Sequence, residues 1–363
     1  PTKKSPRTGK MIPALGKADS GYIQMCAMYP EHQHIWDGRT AVKSRIEETR
    51  ADRFLRAINK DGSFSAPLKY YAAHTGRFGG TEKVNLQNLP RNSALRRAIQ
   101  APAGELLYVC DLANIEARML AWLANEPYLL NTFAAGGDVY SEFASQIYNR
   151  PITKANKLER YVGKTAVLGL GYGMGADKFK YTLSTGSPSV DVSDTAAKTI
   201  VNQYRAFYPN IPGLWNQCKQ LLYAMLNQAQ SGTTYGPLTV GLHQLGLPNG
   251  MALKYPTLTY SPRDGQFMYM SYKRSERLYG PKLTENIVQA LARIVLTEQM
   301  LILQQEPELD VVLTVHDELI LKGPNTNCDT HMNRILEVMK TPPDWCKDLP
   351  LDAEGGYDIS YSK

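Results

Sequence analysis

The sequence feature that most constrains the fold is the segment Val311–Ile320, which reads VVLTVHDELI. Its β-branched and apolar residues predict a buried strand, but His316, Asp317 and Glu318 interrupt the run before apolar residues return. Desolvating unpaired carboxylates is costly, so two adjacent ones are not expected within a buried strand. The pattern therefore predicts a β-hairpin whose tight tip carries Asp317 and Glu318 out of a hydrophobic sheet. Such a tip is either a structural acidic turn or a site for a hard divalent cation, which prefers oxygen ligands.

A second carboxylate, Asp111, follows the apolar run Glu105–Cys110 (ELLYVC), which is typical of a short buried strand. Apolar residues then recur at helical spacing until Pro127, which places Asp111 at a strand-to-helix junction. Asp111 stands 206 positions before Asp317 (317 − 111). Two carboxylates at two strand ends suit a two-metal site, where ions about 3.5–4 Å apart stabilise the oxygens of a phosphoryl displacement. The alternative is that Asp111 is the N-cap of the helix.

A third segment, Lys157–Gly175, reads KLERYVGKTAVLGLGYGMG. On a helix, four of its residues form one stripe that is cationic at its start and apolar, then aromatic, at its end: Arg160, Lys164, Leu168 and Tyr172. A nucleoside triphosphate has the same polarity, and Arg and Lys suit its phosphate oxygens. The glycines, each costing about 1 kcal/mol against Ala, indicate a weakened helix suited to a closing lid. The alternative is an ordinary buried helix with small residues for close packing.

Together these segments resemble the motifs of the DNA polymerase I family (family A). Asp111–Arg118 (DLANIEAR) is similar to the family's DYSQIELR-like motif, and Arg160–Gly173 (RYVGKTAVLGLGYG) resembles its R-x-x-x-K-x-x-x-[FY]-G-x-x-Y-G helix. Val315–Glu318 reads VHDE, as in the family, and Thr75–Asn88 (TGRFGGTEKVNLQN) resembles the TGR…NLQN segment that grips the primer–template. The motifs occur in the family's order, and the wording is most similar to phage and prophage members.

The resemblance implies an α+β right-hand polymerase fold with an antiparallel palm sheet, largely helical fingers and a reduced thumb. Residues 1–70 would form an N-terminal arm and partial thumb, and residues 71–127 the first part of the palm. The fingers would comprise residues 128–231 and the second part of the palm residues 232–363. A proofreading 3′–5′ exonuclease domain is not expected, because the upstream carboxylates typical of one are missing.

The resemblance also implies an activity, namely template-directed addition of dNTPs to a primer 3′-OH by two-metal-ion phosphoryl transfer, with release of pyrophosphate. Asp111, Asp317 and the carbonyl of Leu112 would bind two Mg²⁺ ions, and Lys164 would act with the two carboxylates in catalysis. The implied nucleotide-binding residues are Arg160, Lys164, Leu168, Tyr172, Glu116 and Tyr140, with Glu116 and Tyr172 excluding a ribose 2′-OH. The implied DNA-binding residues are Arg77, Asn85, Gln87, Asn88, Gln289 and His316.

Three positions depart from the family pattern. Leu168 stands where the helix usually carries Phe or Tyr, and Tyr161 replaces a second arginine. Tyr140 occupies the place of a histidine that contacts the triphosphate in many members. A tyrosine hydroxyl can donate one hydrogen bond but carries no imidazolium charge.

Two other functions share some of these features. A single-subunit RNA polymerase or reverse transcriptase would share the palm, but Glu116 argues against ribonucleotide use. A non-catalytic DNA-binding or priming accessory would retain an inactive core, but it would not need Asp111, Asp317, Arg160 and Lys164. Failure to extend primed DNA that the protein binds would favour the accessory.

Composition agrees with a nucleic-acid partner. The formal net charge is +7, and a basic excess favours binding to a phosphate backbone. Five cysteines without CxxC spacing predict reduced thiols and a cytoplasmic protein. The resemblance to phage members implies that this cytoplasm is that of a bacterial host, or that the protein is nucleoid-associated. No apolar run approaches a membrane span, so no membrane partner is expected. Primer–template DNA and dNTPs are the expected partners, and a separate exonuclease, thumb or processivity subunit remains open.

Overall fold

The computed structural model describes residues 1–4, 10–16, 19–43, 46–82, 84–91, 93–272 and 274–361. The chain divides into two compact units, Pro1–Ser65 and Ala66–Lys363. Part of the predicted arm and partial thumb, residues 5–9, 17–18 and 44–45, lies outside the described residues. The assignment of segments as thumb, palm and fingers stays a prediction.

The described residues of the first unit form a strand pair and three α-helices. β1 (Thr2–Lys4) pairs antiparallel with β2 (Met11–Pro13), and the helices that follow are α1 (Ser20–Met28), α2 (Gln33–Lys43) and α3 (Ile46–Ala57). The ring of Tyr22 meets that of Trp36 edge-on at 6.0 Å, which joins α1 to α2. Phe54 of α3 packs against Phe64, with ring centroids 5.2 Å apart.

The second unit opens with short elements that lead into its central sheet: β3 (Leu68–Lys69), β4 (Gly79–Gly80) and α4 (Ala94–Arg97). The strands of the sheet are β5 (Glu105–Leu112), β13 (Asp310–Val315), β14 (Glu318–Pro324) and β15 (Ala353–Asp358). They are antiparallel and lie in the order β13-β14-β5-β15. Most residues of β5 and β14 are buried, because both strands have neighbours on each side and apolar sequences. The predicted antiparallel sheet is confirmed.

Helices fill the segment between β5 and residue 224. They are α5 (Ile115–Ala124), α6 (Pro127–Ala134), α7 (Val139–Tyr148), α8 (Lys157–Leu170), α9 (Ala176–Thr185), α10 (Asp194–Phe207) and α11 (Asn210–Ala224). α7 packs against α8, and α10 packs against both of them. Phe143, Tyr204 and Tyr208 form a fully buried aromatic cluster between α7 and α10.

Two small antiparallel sheets follow. The first has β6 (Thr234–Tyr235), β7 (Leu238–Gly241), β8 (Gln244–Gly246) and β9 (Ala252–Lys254), and the second has β10 (Thr259–Ser261), β11 (Gln266–Ser271) and β12 (Arg274–Leu278). Leu245 and Leu253 pair across the first sheet and are both fully buried.

Two helices complete the second unit, α12 (Gly280–Leu303) and α13 (Cys328–Lys340). α12 packs against α5, α11 and α13 at the centre of the unit. Among the described residues, it is the one helix that is long and apolar enough to cross a membrane. Of its 18-residue apolar stretch, 72% is buried within the protein. The prediction that no apolar run approaches this length is therefore wrong, because a helix surrounded by protein carries few charges.

Candidate active site

The carboxylates Asp111 and Asp317 lie at neighbouring strand ends of the central sheet. Asp111 is the second-last residue of β5, and Asp317 lies in the turn between β13 and β14. The backbone N–H of Leu112 donates a hydrogen bond to the carbonyl of Asp317 at 3.0 Å, which ties the turn to the end of β5. Both side chains are partly exposed at this edge.

The alternative role of Asp111 as a helix N-cap is wrong. α5 begins at Ile115, and its N-cap residue is Asn114, which has a φ of +56°. Asp111 lies within β5, three residues before the cap. The strand therefore continues as far as Leu112 before the chain turns into the helix.

Glu318 is buried, which differs from its predicted place at the exposed tip. The tip consists of His316, with a φ of +57°, and Asp317, so Glu318 is already the first residue of β14. The residue is 6% exposed, its carboxylate pairs with the guanidinium of Arg96 at 3.1 Å, and it accepts a hydrogen bond from the Tyr361 hydroxyl. Since Glu318 is the register partner of Asp111, this buried cluster supports the strand that carries Asp111.

The Tyr361 ring also lies against Arg96, with the guanidinium carbon 3.8 Å from the ring centre. Burial raises the pKa of Tyr361, and the hydrogen bond to Glu318 raises it further. The hydroxyl therefore stays neutral and keeps its proton to donate. Two buried partners fix the position of the Glu318 carboxylate.

Arg77 and Glu116 form an ion pair beside the hairpin. Burial lowers the pKa of Arg77, and the negative charge of Asp317 acts in the opposite direction. The guanidinium therefore lies in the field of two carboxylates, one on α5 and one at the hairpin turn. Glu116, predicted to exclude a ribose 2′-OH, is partly exposed and held in place by Arg77.

Arg160 on α8 makes a forked contact with Asp138. Its Nε and Nη2 donate to the two carboxylate oxygens at 2.6 and 3.1 Å. Burial alone would raise the pKa of Asp138, but hydrogen bonds from Arg160 and Ser141 outweigh it and lower the pKa. The same carboxylate accepts from the backbone N–H of Tyr140 and so caps α7.

The ring of Tyr140 lies between two cations of α8, Arg160 and Lys164, and the end of β5. The Arg160 guanidinium carbon is 5.4 Å and the Lys164 Nζ 5.9 Å from the ring centre. The hydroxyl donates to Asn114 Oδ1 at 2.6 Å, three residues after Asp111. Burial raises the pKa of Tyr140 to about 12, so the hydroxyl is neutral at physiological pH. Lys164 is exposed, and no described residue forms an ion pair with it.

The predicted helix Lys157–Gly175 ends earlier than expected. α8 stops at Leu170, and a turn with Gly173 at a φ of +75° precedes α9. Tyr172 therefore lies beyond the helix, partly buried, and burial raises its pKa. Leu168 remains on α8 and is 39% exposed.

The residues predicted to contact DNA adjoin the hairpin and α12. Gln87 Nε2 donates to the carbonyl of Thr314 on β13 at 3.4 Å, and Asn85 caps the 3₁₀ turn Leu86–Asn88 through the backbone N–H of Gln87. Gln289 on α12 accepts a hydrogen bond from Thr75 Oγ1 at 3.4 Å and donates to Glu285 at 3.3 Å. Asn88 and His316 are exposed.

Sequence reasoning missed four residues of this site: Arg96, Asn114, Asp138 and Tyr361. Asp138 directly precedes a helical pattern, so its capping role had a recognisable signal. Arg96 and Tyr361 meet Glu318 only through tertiary folding and had no local signal.

The donor set at the sheet edge fits a hard divalent cation. Among the described residues, no group of three or more His, Cys, Asp or Glu side chains is arranged as a metal centre. Two carboxylates and the adjacent backbone of Leu112 meet at this edge, while Glu318 is held by Arg96 and Tyr361. A few carboxylate ligands with positions left for water suit an ion that dehydrates reluctantly.

Comparison with known families identifies the chain. The model described as DNA polymerase family A matches residues 18–231, which is 214 of the 363 residues (231 − 17). The chain belongs to DNA polymerase family A. The matched range of this family A chain contains Asp111, Arg160 and Lys164, and it ends before the β13–β14 hairpin.

Curated relatives of this family A chain are longer than the chain itself. It is 28% identical over 376 residues to the DNA polymerase of Bacillus phage SP02, a match that covers 89% of the chain and 56% of the phage protein. It is 27% identical over 332 residues to DNA polymerase I of Pseudomonas aeruginosa, covering 88% of the chain and 32% of that protein. The chain thus spans about half or less of the length of these relatives. The predicted similarity to phage members is confirmed.

A solved structure shows the same fold as this family A chain. It is the POL domain of Pol1 from M. smegmatis in complex with DNA primer-template and dNTP. The TM-score is 0.74 at 22% sequence identity, and the match covers 100% of the chain and 58% of the other. The predicted α+β polymerase fold is confirmed.

Proposed function

We propose that the chain is a template-directed DNA polymerase that adds dNTPs to a primer 3′-OH and releases pyrophosphate. One observation carries the proposal: Tyr140 joins the cations of α8 to the end of β5. Its ring lies beside Arg160 and Lys164, and its hydroxyl reaches Asn114. Groups suited to a triphosphate therefore adjoin the strand ends that carry Asp111 and Asp317.

Asp111, Asp317 and the carbonyl of Leu112 would hold two Mg²⁺ ions. When bound, the ions neutralise charge on the triphosphate and favour the ionised form of the attacking hydroxyl. The hydrogen bond between Leu112 and Asp317 keeps the two carboxylates at one edge. The contacts of Glu318 with Arg96 and Tyr361 hold the strand next to them in place.

The cations of α8 would bind the nucleotide. Lys164 is exposed, so its ammonium is available to contact the phosphates and to donate a proton to the pyrophosphate leaving group. Arg160 would release Asp138 and bind the triphosphate instead, since its guanidinium can donate two hydrogen bonds to either anion. Tyr140 would orient both cations through its ring.

Glu116 and Tyr172 would select deoxyribose by occupying the space that a 2′-OH needs. The ion pair with Arg77 holds the Glu116 side chain in place, so that it would clash with a 2′-OH. Leu168 presents an apolar side chain to the same side of α8 as Lys164, four residues away. This arrangement supports DNA synthesis over the RNA polymerase alternative.

Primer–template DNA would lie along Arg77, Asn85, Gln87, Asn88, Gln289 and His316. The M. smegmatis relative of similar fold is a complex with DNA primer-template and dNTP, which supports these partners. Exposed Asn88 and His316 are accessible to a duplex beside the hairpin. The contact of Gln87 with Thr314 links this surface to the strand that leads to Asp317.

The proposal also covers proofreading, additional subunits and location in the cell. We assign polymerisation alone, without a proofreading exonuclease site, to these 363 residues. A separate exonuclease, thumb or processivity subunit remains a prediction, and so does a cytoplasmic location, in a bacterial host or associated with the nucleoid.

Primer extension tests the proposal. The assay uses a labelled primer on a DNA template, with all four dNTPs and Mg²⁺ at low salt. We expect extension by the intact chain and a loss of about a hundredfold or more in Asp317→Asn, because electrostatic stabilisation of the transition state is lost. Removing Mg²⁺ with a chelator should abolish extension in the intact chain.

The matched control is Asp191→Asn, which makes the same chemical change at an exposed residue between α9 and α10. We expect this variant to extend primers at the rate of the intact chain. Binding of primed DNA without extension by the intact chain would overturn the proposal and favour the accessory. Incorporation of rNTPs as readily as dNTPs would favour the RNA polymerase alternative.

A further inference from the structure

A cleft of about 700 Å³ in the second unit plays no part in the proposed chemistry. It opens between the loop before Arg77 and the two small sheets, and its volume lies within the roughly 300–1,000 Å³ range of ligand sites. The residues that line it include Tyr71, His74, Lys254, Tyr269 and Tyr272.

Aromatic rings form one side of the cleft. The ring of His74 lies 5.0 Å from that of Tyr255 and 5.9 Å from that of Tyr269, measured between centroids. Burial lowers the pKa of His74 below its ordinary value of 6.5, although the charge of Glu276 opposes this. At neutral pH the imidazole is therefore an uncharged flat ring. Tyr272, at the rim, is 94% exposed.

The loop that carries His74 is hydrogen-bonded to Arg77, one of the proposed duplex-binding residues. The backbone N–H groups of Ala72 and Ala73 donate to the carbonyl of Arg77 at 2.9 and 3.2 Å, which closes the loop. On its other side, the Tyr71 hydroxyl donates to the carbonyl of Ala252 on β9 at 3.2 Å. The cleft therefore begins within a few residues of Arg77, at a fixed position.

The two small sheets that form most of the cleft come from a basic segment. Residues 250–278 contain five Lys and Arg residues against two Asp and Glu residues. Lys254, within the cleft, is exposed and has no ion pair among the described residues. A cation beside aromatic side chains suits single-stranded nucleic acid, because phosphates are attracted and every base has a face that stacks.

We propose that this cleft binds an unpaired nucleotide of the single-stranded template, next to the duplex. The base stacks against the aromatic side and Tyr272, and Lys254 contacts its phosphate. A phosphate alone would leave the aromatic rings unused, and an uncharged ligand would leave Lys254 unused. The inference rests on the proposed function, since it needs a primed template nearby.

The test measures the affinity of the full chain for two DNAs that contain the same primed duplex. One DNA is blunt, and the other has a 5′ template overhang. We expect the overhang to strengthen binding and Tyr272→Ala to reduce this advantage about fivefold, the loss of one stacked base. Affinity for the blunt duplex should stay unchanged. Lys254→Ala should reduce the advantage and its dependence on salt.

A fluorescent base analogue placed in the overhang gives a second readout. Its emission should fall on binding to the intact chain, because stacked bases are quenched, and should recover in Tyr272→Ala. The matched control is Tyr148→Ala, which removes a tyrosine that is 38% exposed on α7. It should leave both the overhang advantage and the emission as in the intact chain.

The outcomes separate this inference from the proposed function. An unchanged overhang advantage in Tyr272→Ala and Lys254→Ala, with normal primer extension, would overturn the cleft assignment alone. Loss of the advantage on adding a free nucleoside monophosphate, which cannot be incorporated, would show that the cleft is a mononucleotide site, and would also overturn it. No binding of either DNA would overturn both.

Discussion

The carboxylate of Glu318 shows how single residues position the site. Glu318 is 6% exposed and, from β14, is the register partner of Asp111 on β5, so its charge must be balanced within the protein. Arg96 supplies the opposite charge, and Tyr361 supplies a neutral donor. Removing one partner of a buried charge is strongly destabilising, because the remaining group cannot regain water. Tyr361 is therefore a positioning residue that acts on Asp111 through Glu318.

The Tyr361→Phe variant removes this donor without removing the ring. We expect a loss of about 1–3 kcal/mol in the free energy of unfolding, measured with urea. In primer extension, kcat should fall while the KM for dNTP stays unchanged. The matched control is Tyr208→Phe, since the Tyr208 hydroxyl is buried without a hydrogen-bond partner in the described structure. Equal losses of stability in the two variants would contradict the assigned role.

The Asp138→Asn variant tests whether Arg160 is held back from the nucleotide. Asn keeps an oxygen that caps α7 but loses the charge that holds the guanidinium. We expect the KM for dNTP to fall about two- to fivefold, as a partly exposed ion pair is worth up to about 1 kcal/mol. A higher KM with unchanged kcat would instead show that Asp138 aligns Arg160 for binding.

The same variant predicts a pH dependence of stability. Because the pKa of Asp138 is lowered in the folded protein, its stabilising contribution is fully present above the unfolded pKa and is lost as the pH falls through the folded pKa. The intact chain should therefore be more stable than Asp138→Asn at pH 7. The difference, measured by urea unfolding, should disappear well below about pH 4.

At the scale of elements, α8 lies unusually close to α7. A Cβ at Gly163 would lie 2.2 Å from the carbonyl oxygen of Tyr140 and 2.9 Å from the Cβ of Ala144. The glycine therefore permits close approach of the two helices, which favours the close-packing interpretation at this position. This approach brings the Tyr140 ring near Arg160 and Lys164.

The Gly163→Ala variant should push the helices apart. Ala stabilises a helix relative to Gly by about 1 kcal/mol, but overpacking costs about 1–3 kcal/mol. The cost here should lie at the upper end of that range, because the added Cβ must displace backbone atoms. We expect a net loss of stability and a higher KM for dNTP, measured by urea unfolding and primer extension. Gly213→Ala on α11 is the control, since nothing lies within 4 Å of its added Cβ. It should stabilise the protein, and a stabilised Gly163→Ala would contradict the packing argument.

The end of α8 shows where helical spacing misleads. Residues 160, 164, 168 and 172 repeat every four positions, so the pattern predicts one continuous stripe. The turn after Leu170 ends the helix, however, and Gly173 adopts a positive φ that favours glycine. Spacing alone does not distinguish a helix from a helix followed by a turn.

At the scale of the whole molecule, the sequence predicts the strands better than their supports. The apolar runs of β5 and β14, each next to a carboxylate, predict the two strands from local sequence. The family motifs predict that these strands lie together in one sheet. The cluster of Arg96, Glu318 and Tyr361 could not be predicted, because its members are 222 and 43 positions apart. The burial of Glu318 could not be predicted either, because it depends on which two residues form the turn.

The strand order of the central sheet has a consequence for the synthesis of the protein. β5 is an inner strand, yet its neighbours β14 and β15 follow it late in the chain, and Glu318 is 207 positions after its partner Asp111 (318 − 111). At ribosomal speed, β5 waits about 10–40 s before its first neighbour is made. During that time an apolar strand with two open edges emerges into a crowded cell. The nascent chain is thus an expected client of chaperones that shield exposed strands.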